Sequence, residues 1–334
     1  MNIFEFLGKP ADFRTEKKVF QLVKHFDDVN TKAEQGIYHK KVEFPMFGQV
    51  KRDGVFCAVV VRADGKVAIF NRTGKRMTNC ENLESYFAGA AELFTLDAGV
   101  FLGEMLSEEC SLEQLSGVVN PNRTKGLDPE QKLIKHRLHI DFFDGVTICE
   151  FISGHSHKGY SARHWNLKQE MEDLATVLPY VNIKDEAALR AFAQKQISAG
   201  EEGAVFKQDV EWKAGAKDWH QMKVVRGIHV DLVCIGFEEG TGKYEGLVAN
   251  LLFRYKNGKT VKAMLGKGWT HDDAREMYLN IHYGESVGMP EHKHVDDPRG
   301  KIYHVYGLQP SSKNGLIRLP KVGELRHDKA EPDF

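Results

Sequence analysis

The sequence predicts an α+β protein, a mixed domain followed by a small β-barrel, and three observations carry that expectation. Strand-like apolar runs and helical repeats are interspersed without the regular alternation of a wound parallel sheet. Asp64-Gly65 and Asn257-Gly258 each separate apolar runs in the manner of hairpin turns. From about Val230 onward the pattern is mostly β. A chain of 334 residues, 28% charged and 42% hydrophobic, is long enough for one large or two ordinary domains, and its composition excludes disorder and collagen-like architectures.

Taken in order, Val19, Phe20, Leu22, Val23 and Phe26 recur at helical spacing and predict an amphipathic helix from Arg14 to Asp28. VFCAVVV and KVAIF, on either side of Ala63-Asp64-Gly65, predict a hairpin between Val55 and Asn71. A helix over Glu81 to Phe94 follows, then strands near Val100 to Met105 and Leu138 to Phe143. Asp185 to Ser198 reads as a helix closed by Gly200, and Ala204-Val205-Phe206 as a buried strand. Beyond a boundary near Val224 to His229, the runs VDLVCIGF, LVANLLFRY, KTVKAML, KIYHVYG and LIRLP, with a helix at Asp272 to Asn280, suit a barrel of the oligonucleotide-binding (OB) type. No internal repeat or low-complexity tract interrupts the chain.

Charge and cysteine usage narrow the function classes. With 46 basic and 47 acidic side chains, the net charge of −1 provides no bulk attraction to polyanions, so any nucleic-acid contact must come from locally arranged Lys and Arg. Five widely spaced cysteines form no Cys-x-x-Cys pair, which excludes a disulfide framework and a cysteine-rich zinc site and fits a reducing, cytoplasmic compartment. Neither a secretion signal nor a membrane span is expected. His155/His157, His164 and His292/His294 near Asp296-Asp297 match no strong metal spacing and read as solvated loop residues, and Trp165, Trp212, Trp219 and Trp269 as packing or interface residues.

Lys51-Arg52-Asp53-Gly54, just ahead of the strand at Val55, is the most informative string. Alone it reads as a solvated turn; with the right partners Lys51 is a covalent nucleophile. An amine attacks phosphorus only when unprotonated, and the ordinary lysine pKa is about 10.4, so nearby positive charge or burial must bias the site. Arg52, Lys207, Lys223 and a divalent cation could supply that bias. Further strings follow in order: Asn71-Arg72-Thr73-Gly74, Leu102-Gly103-Glu104, Phe143-Asp144, Glu202 through Lys207, Met222-Lys223 and Arg326-His327-Asp328-Lys329.

In this order and at these separations the strings resemble the six nucleotidyltransferase motifs of the ATP-dependent DNA ligases, most closely the compact bacteriophage and viral type. The resemblance runs from Gln49 to Lys329. It implies a nucleotidyltransferase (adenylation) domain of ATP-grasp-like type at residues 1–224 and an OB-fold domain at 225–334, with no extra DNA-binding domain ahead of Lys51. It further implies that Lys51 takes AMP from ATP as a phosphoramidate, with Asp53 and Lys223 also catalytic, and that the AMP then passes to the 5′-phosphate of a nick, which the 3′-hydroxyl seals. By the same resemblance, Gln49, Arg72, Glu104, Phe143, Glu202, Lys207, Lys223, Arg326 and Lys329 bind the nucleotide, Phe143 by stacking on adenine. Glu104 and Glu202 offer hard oxygens that favour Mg²⁺ or Mn²⁺.

Arg326 and Lys329 suit the leaving pyrophosphate, because arginine presents a planar donor fork and lysine a compact charge. They reach ATP only if the second domain closes over the first, so a hinge is expected near Lys223 to Val230. Arg72, Arg123, Lys125, Lys158, Arg163, Lys262 and Lys267 are the expected DNA contacts, and the partner is nicked duplex DNA gripped through its backbone by a monomer. The sequence departs from the family pattern at Phe56, where arginine is usual, at Gln221, where a second lysine is usual, and at Leu102, where an acidic residue often stands. An RNA ligase, an mRNA-capping guanylyltransferase and an inactive nucleic-acid-binding homologue are the alternatives that this reading leaves open.

Overall fold

The computed structural model describes residues 1–14, 19–26, 42–93, 96–266, 268–283, 297–310 and 315–334. The chain divides into two units, Met1–Val225 and Arg226–Phe334.

The first unit holds two five-stranded sheets. One is ordered β1 (Lys24–His25), β12 (Gln221–Val225), β10 (Gly203–Lys207), β2 (Met46–Lys51) and β9 (Val181–Ile183), antiparallel except for β1 beside β12. The other is ordered β4 (Val67–Phe70), β3 (Val55–Val61), β5 (Gly99–Leu106), β6 (His139–Val146) and β8 (Thr176–Val177). A two-stranded ribbon pairs β7 (His155–Ser156) with β11 (Trp212–Lys213).

Strand alternation explains why VFCAVVV is apolar throughout. Cys57, Val59 and Val61 of β3 pack into one core with Phe87 and Ala90 of the Glu81–Glu92 helix and Leu167 of the Tyr160–Met171 helix. Phe56, Ala58 and Val60 face the opposite core, with Phe20, Phe151 and Trp212. A strand covered on both faces needs apolar residues at every position. In the first sheet, Met46, Ala204, Phe206 and Met222 pack against Leu189 and Ala193 of the Glu186–Ser198 helix, whose N-cap Asp185 accepts a hydrogen bond from the Ala188 amide.

The helix expected over Arg14–Asp28 is not found in the described part of that segment. Residues 19–26 are extended instead: the Leu22 amide donates to the Ala216 carbonyl, the Phe26 amide donates to the Lys223 carbonyl, and Lys24–His25 run parallel to β12. The apolar spacing that mimics a helix serves two destinations, since Val19 and Phe20 enter the core beneath β3 while Phe26 enters the core under the first sheet. One helix face could not reach both.

The second unit is a closed barrel in the order β13 (Gly227–Glu239), β14 (Val248–Arg254), β15 (Thr260–Leu265), β17 (Ile317–Leu325) and β16 (Ile302–Pro310). Closure leaves no unpaired sheet edge. Leu232, Leu251, Phe253, Val261, Val305 and Val322 fill the interior together with Met277 from the His271–Tyr283 helix. The sequence anticipates all five strands, and Asn257 adopts the left-handed conformation (φ +57°) that its turn requires. Among the described residues no helix is long and apolar enough to cross a membrane.

Candidate active site

Strand register collects the polar residues of the first sheet on one face. In β2, β10 and β12, Gln49 lies opposite Val205, Val205 opposite Lys223, and Lys207 opposite Gln221, while Lys51 faces Gly203. Side chains two residues apart share a face, so Gln49, Lys51, Lys207, Gln221 and Lys223 form one polar surface above an apolar underside. The second sheet contributes Phe56, Leu102, Glu104 and Phe143. Between these walls lies a cleft with about 700 Å³ of space, part of it open to solvent. Phe143 reaches it through a β-bulge: Leu102 pairs with Asp144 and Gly103 with Phe142, which leaves Phe143 as the extra residue of β6.

At the mouth of the cleft, Lys51 Nζ donates to Glu202 Oε2. Glu104 pairs with Phe56 on one side and Asp141 on the other. Burial pushes its carboxyl up to about 7; Lys51 and Arg72 pull against that rise, while Glu202 and Asp53 add to it. Burial lowers the Arg72 guanidinium against the pull of Glu104 and Glu202. The same guanidinium lies 4.5 Å from the centroid of the Phe56 ring. Phe56, which replaces the family's arginine, is therefore a platform for Arg72. Lys223 is lowered by burial first and by the neighbouring Lys51 charge second.

Deeper in the cleft, Lys207 is 3% exposed. Its Nζ lies 4.1 Å from the Tyr160 ring centroid and 4.9 Å from that of Phe143, and donates to the Phe143 carbonyl at 3.2 Å. Burial drives its pKa down to about 7, against the pull of Asp144. Gln49 is buried, and its Nε2 donates to the Leu178 carbonyl at 2.8 Å. Gln221 Nε2 donates to Gln21 Oε1 at 2.7 Å.

The structure thus brings Gln49, Lys51, Arg72, Glu104, Phe143, Glu202, Lys207 and Lys223 to one cleft region, with Asp53 in the turn after Lys51. Several expected DNA contacts are placed elsewhere. Arg163, expected on a phosphate-contacting loop, is a correction: it is 2% exposed, forks onto Asp144 at 2.9 and 3.0 Å, and donates to the Lys158 and Val210 carbonyls. A guanidinium so enclosed braces the fold and is not offered to DNA. Arg123 likewise spends its donors on the carbonyls of Gly117, Lys125 and Gly126 and on Gln131. Lys125 is exposed, Lys158 lies 3.7 Å from Glu150, and Lys262 pairs with Glu238. Lys267, His292, His294 and Asp296 lie outside the described residues.

In the second unit, Arg326 forks onto Asp328 at 2.9 and 2.7 Å, and both Arg326 and Lys329 reach Asp231 at 2.7 Å. Sequence reasoning misses Glu201 and Asp141, which together hold Arg52. It also misses Tyr160, which walls Lys207. The Glu201-Glu202 doublet at the start of a strand is a signal for the first; nothing local marks Tyr160.

A lysine beside two carboxylates, with further cations and an aromatic wall, is equipped for transfer of a phosphorus group to nitrogen. The description "ATP dependent DNA ligase domain" fits residues 28–224. A DNA ligase of Cenarchaeum symbiosum (strain A) is 25% identical over 321 residues, covering 80% of this chain and 51% of its own length. A solved structure designated Pmar-Lig_Pre superimposes with a TM-score of 0.71 at 18% identity, over 93% of this chain and 68% of its own. An ATP-dependent DNA ligase from bacteriophage T7 in complex with ATP superimposes with a TM-score of 0.53 at 16% identity, over 95% of this chain and 100% of its own. The chain spans about half or less of the length of the curated relatives it matches.

Proposed function

The chain belongs to the family of ATP-dependent DNA ligases, and from that premise we propose that it seals nicks in duplex DNA, with Lys51 as the nucleophile. Its fold is a ligase-type nucleotidyltransferase domain followed by an OB-type barrel. The observation that carries the proposal is the convergence of Lys51, Glu202, Glu104, Lys207 and Lys223 on one cleft.

Lys51 Nζ forms a bond to the α-phosphorus of ATP as the bond to the bridging oxygen breaks and pyrophosphate leaves. The ammonium first gives one proton to Glu202 along the existing hydrogen bond, which frees the nitrogen lone pair, and the second proton released as the P–N bond forms leaves with the pyrophosphate. A 5′-phosphate oxygen at the nick then attacks the same phosphorus and breaks the P–N bond. Finally the 3′-hydroxyl attacks the activated 5′-phosphorus and AMP leaves. Lys207 and Lys223 neutralise charge on the α-phosphate, and Phe143 with Tyr160 forms an apolar wall against which a base can stack.

Glu104 and Glu202 present hard carboxylate oxygens next to Lys51, a donor set that fits Mg²⁺ or Mn²⁺. Such an ion would supply further neutralisation of phosphate charge. The five cysteines are all free, which suits a reducing cytoplasm, and a monomer suffices for this chemistry. The test is sealing of a nicked DNA duplex and of a nicked RNA duplex with ATP or GTP. ATP-dependent sealing of the DNA alone is expected; covalent labelling by GTP, or sealing confined to RNA, contradicts the proposal.

A further inference from the structure

The β7/β11 ribbon carries a second cluster, apart from the cleft residues that bind nucleotide in the proposal above. Lys213 pairs with His155 and Trp212 with Ser156. Continuing that register by one position sets Glu211 opposite His157. Alternation then puts His155, His157, Glu211 and Lys213 on the outer face of the ribbon, while Trp212 and Ser156 are fully buried beneath it. One potential ligand atom from each of His155, His157 and Glu211 lies within 4.8 Å of the other two. His155 Nε2 already meets Glu211 Oε2 at 2.6 Å, and the two imidazole centroids are 4.2 Å apart.

We infer that His155, His157 and Glu211 bind a divalent transition ion of the Zn²⁺ class, which pins the outer face of this ribbon. Two imidazoles and a carboxylate are a borderline-soft set that suits Zn²⁺, Co²⁺ or Ni²⁺, unlike the all-oxygen set of Glu104 and Glu202. A tetrahedral ion with bonds of about 2.1 Å spaces its ligand atoms by roughly 3.4 Å. The His155–Glu211 contact, at 2.6 Å, therefore has to open by less than about 1 Å, and any separation at the 4.8 Å limit has to close by about 1.4 Å, with water as the fourth ligand. Lys213 hydrogen-bonds the other oxygen of Glu211. It can stay there while Oε2 binds the ion, and so orients the carboxylate. The histidines read as solvated from sequence alone acquire this role because the fold delivers Glu211 to them.

The test is calorimetric titration of the full, chelator-treated chain with Zn²⁺ alone, repeated with Co²⁺ while following the visible d–d absorption. One equivalent is expected to bind with a four-coordinate Co²⁺ spectrum, and His157→Ala and Glu211→Gln are each expected to weaken binding at least tenfold. Both side chains reach solvent, so both variants should melt like wild type without metal. A wild-type chain that takes up no Zn²⁺, or a folded variant that binds it as tightly as wild type, overturns the inference.

Discussion

Two buried ionisable side chains give the site its pH behaviour. Glu104 has its carboxyl raised to about 7 by burial, so it keeps a proton in the fold at pH values where the unfolded chain has lost it. A raised carboxyl pKa means that stability is greatest below the unfolded value and declines as pH rises toward 7. Glu104→Gln stays neutral throughout. Its stability relative to wild type should therefore rise between pH 5 and pH 8 by up to about 3 kcal/mol, measured by denaturant melts without divalent ions. A gap that does not change with pH contradicts the burial argument. Lys207, lowered to about 7, is mostly neutral at pH 8. An arriving phosphate favours its charged form, so ATP binding to the Lys51→Ala variant at pH 8 should take up close to one proton. Calorimetric enthalpies would then differ between buffers of unequal ionisation enthalpy, whereas identical enthalpies would count against a neutral Lys207.

Among the elements, the Asp144–Arg163 pair ties β6 to the Tyr160–Met171 helix, with both side chains 2% exposed. Removing one partner of a buried pair leaves an uncompensated charge, so Asp144→Ala should cost about 3–5 kcal/mol in urea unfolding. A loss under about 1 kcal/mol, the scale of a surface pair, would contradict this bracing role. Two glycines set how closely elements approach near Lys51. A Cβ on Gly54 would lie 2.4 Å from the Met105 carbonyl oxygen, and one on Gly203, whose φ is +152°, would lie 2.1 Å from that of Val224. The string Lys-x-Asp-Gly reveals the first of these, because Asp-Gly before a strand is local turn chemistry.

What the sequence could not reveal at this scale was set by partners distant in the chain. Arg163 reads as a loop cation because Asp144 stands 19 residues earlier on another element. The extended segment at 19–26 imitates a helix because its apolar residues divide between two cores. Phe143 is nameable by its motif, but the bulge that aims it is a matter of pairing register.

At the level of the whole chain, the strand runs and Asx-Gly turns suffice for the barrel strands, and the β13–β14, β14–β15 and β16–β17 pairs join strands consecutive in the chain, while β13 with β16 closes the ring from farther off. The first sheet is harder to read, since β2 pairs with β10 across more than 150 residues of chain. Only the order of the motifs, read as a family resemblance, places Lys51, Glu202 and Lys223 side by side ahead of the structure. That adjacency is the basis of the proposal, in which the lysine held by Glu202 at the edge of the cleft takes the adenylate. Intact-mass spectrometry of the purified chain after incubation with ATP and Mg²⁺ tests it most directly. The account predicts a gain of one adenylate on wild type, released by nicked DNA and absent in Lys51→Ala. Sealing without any covalent adenylate, or an adenylate that persists in Lys51→Ala, would contradict it.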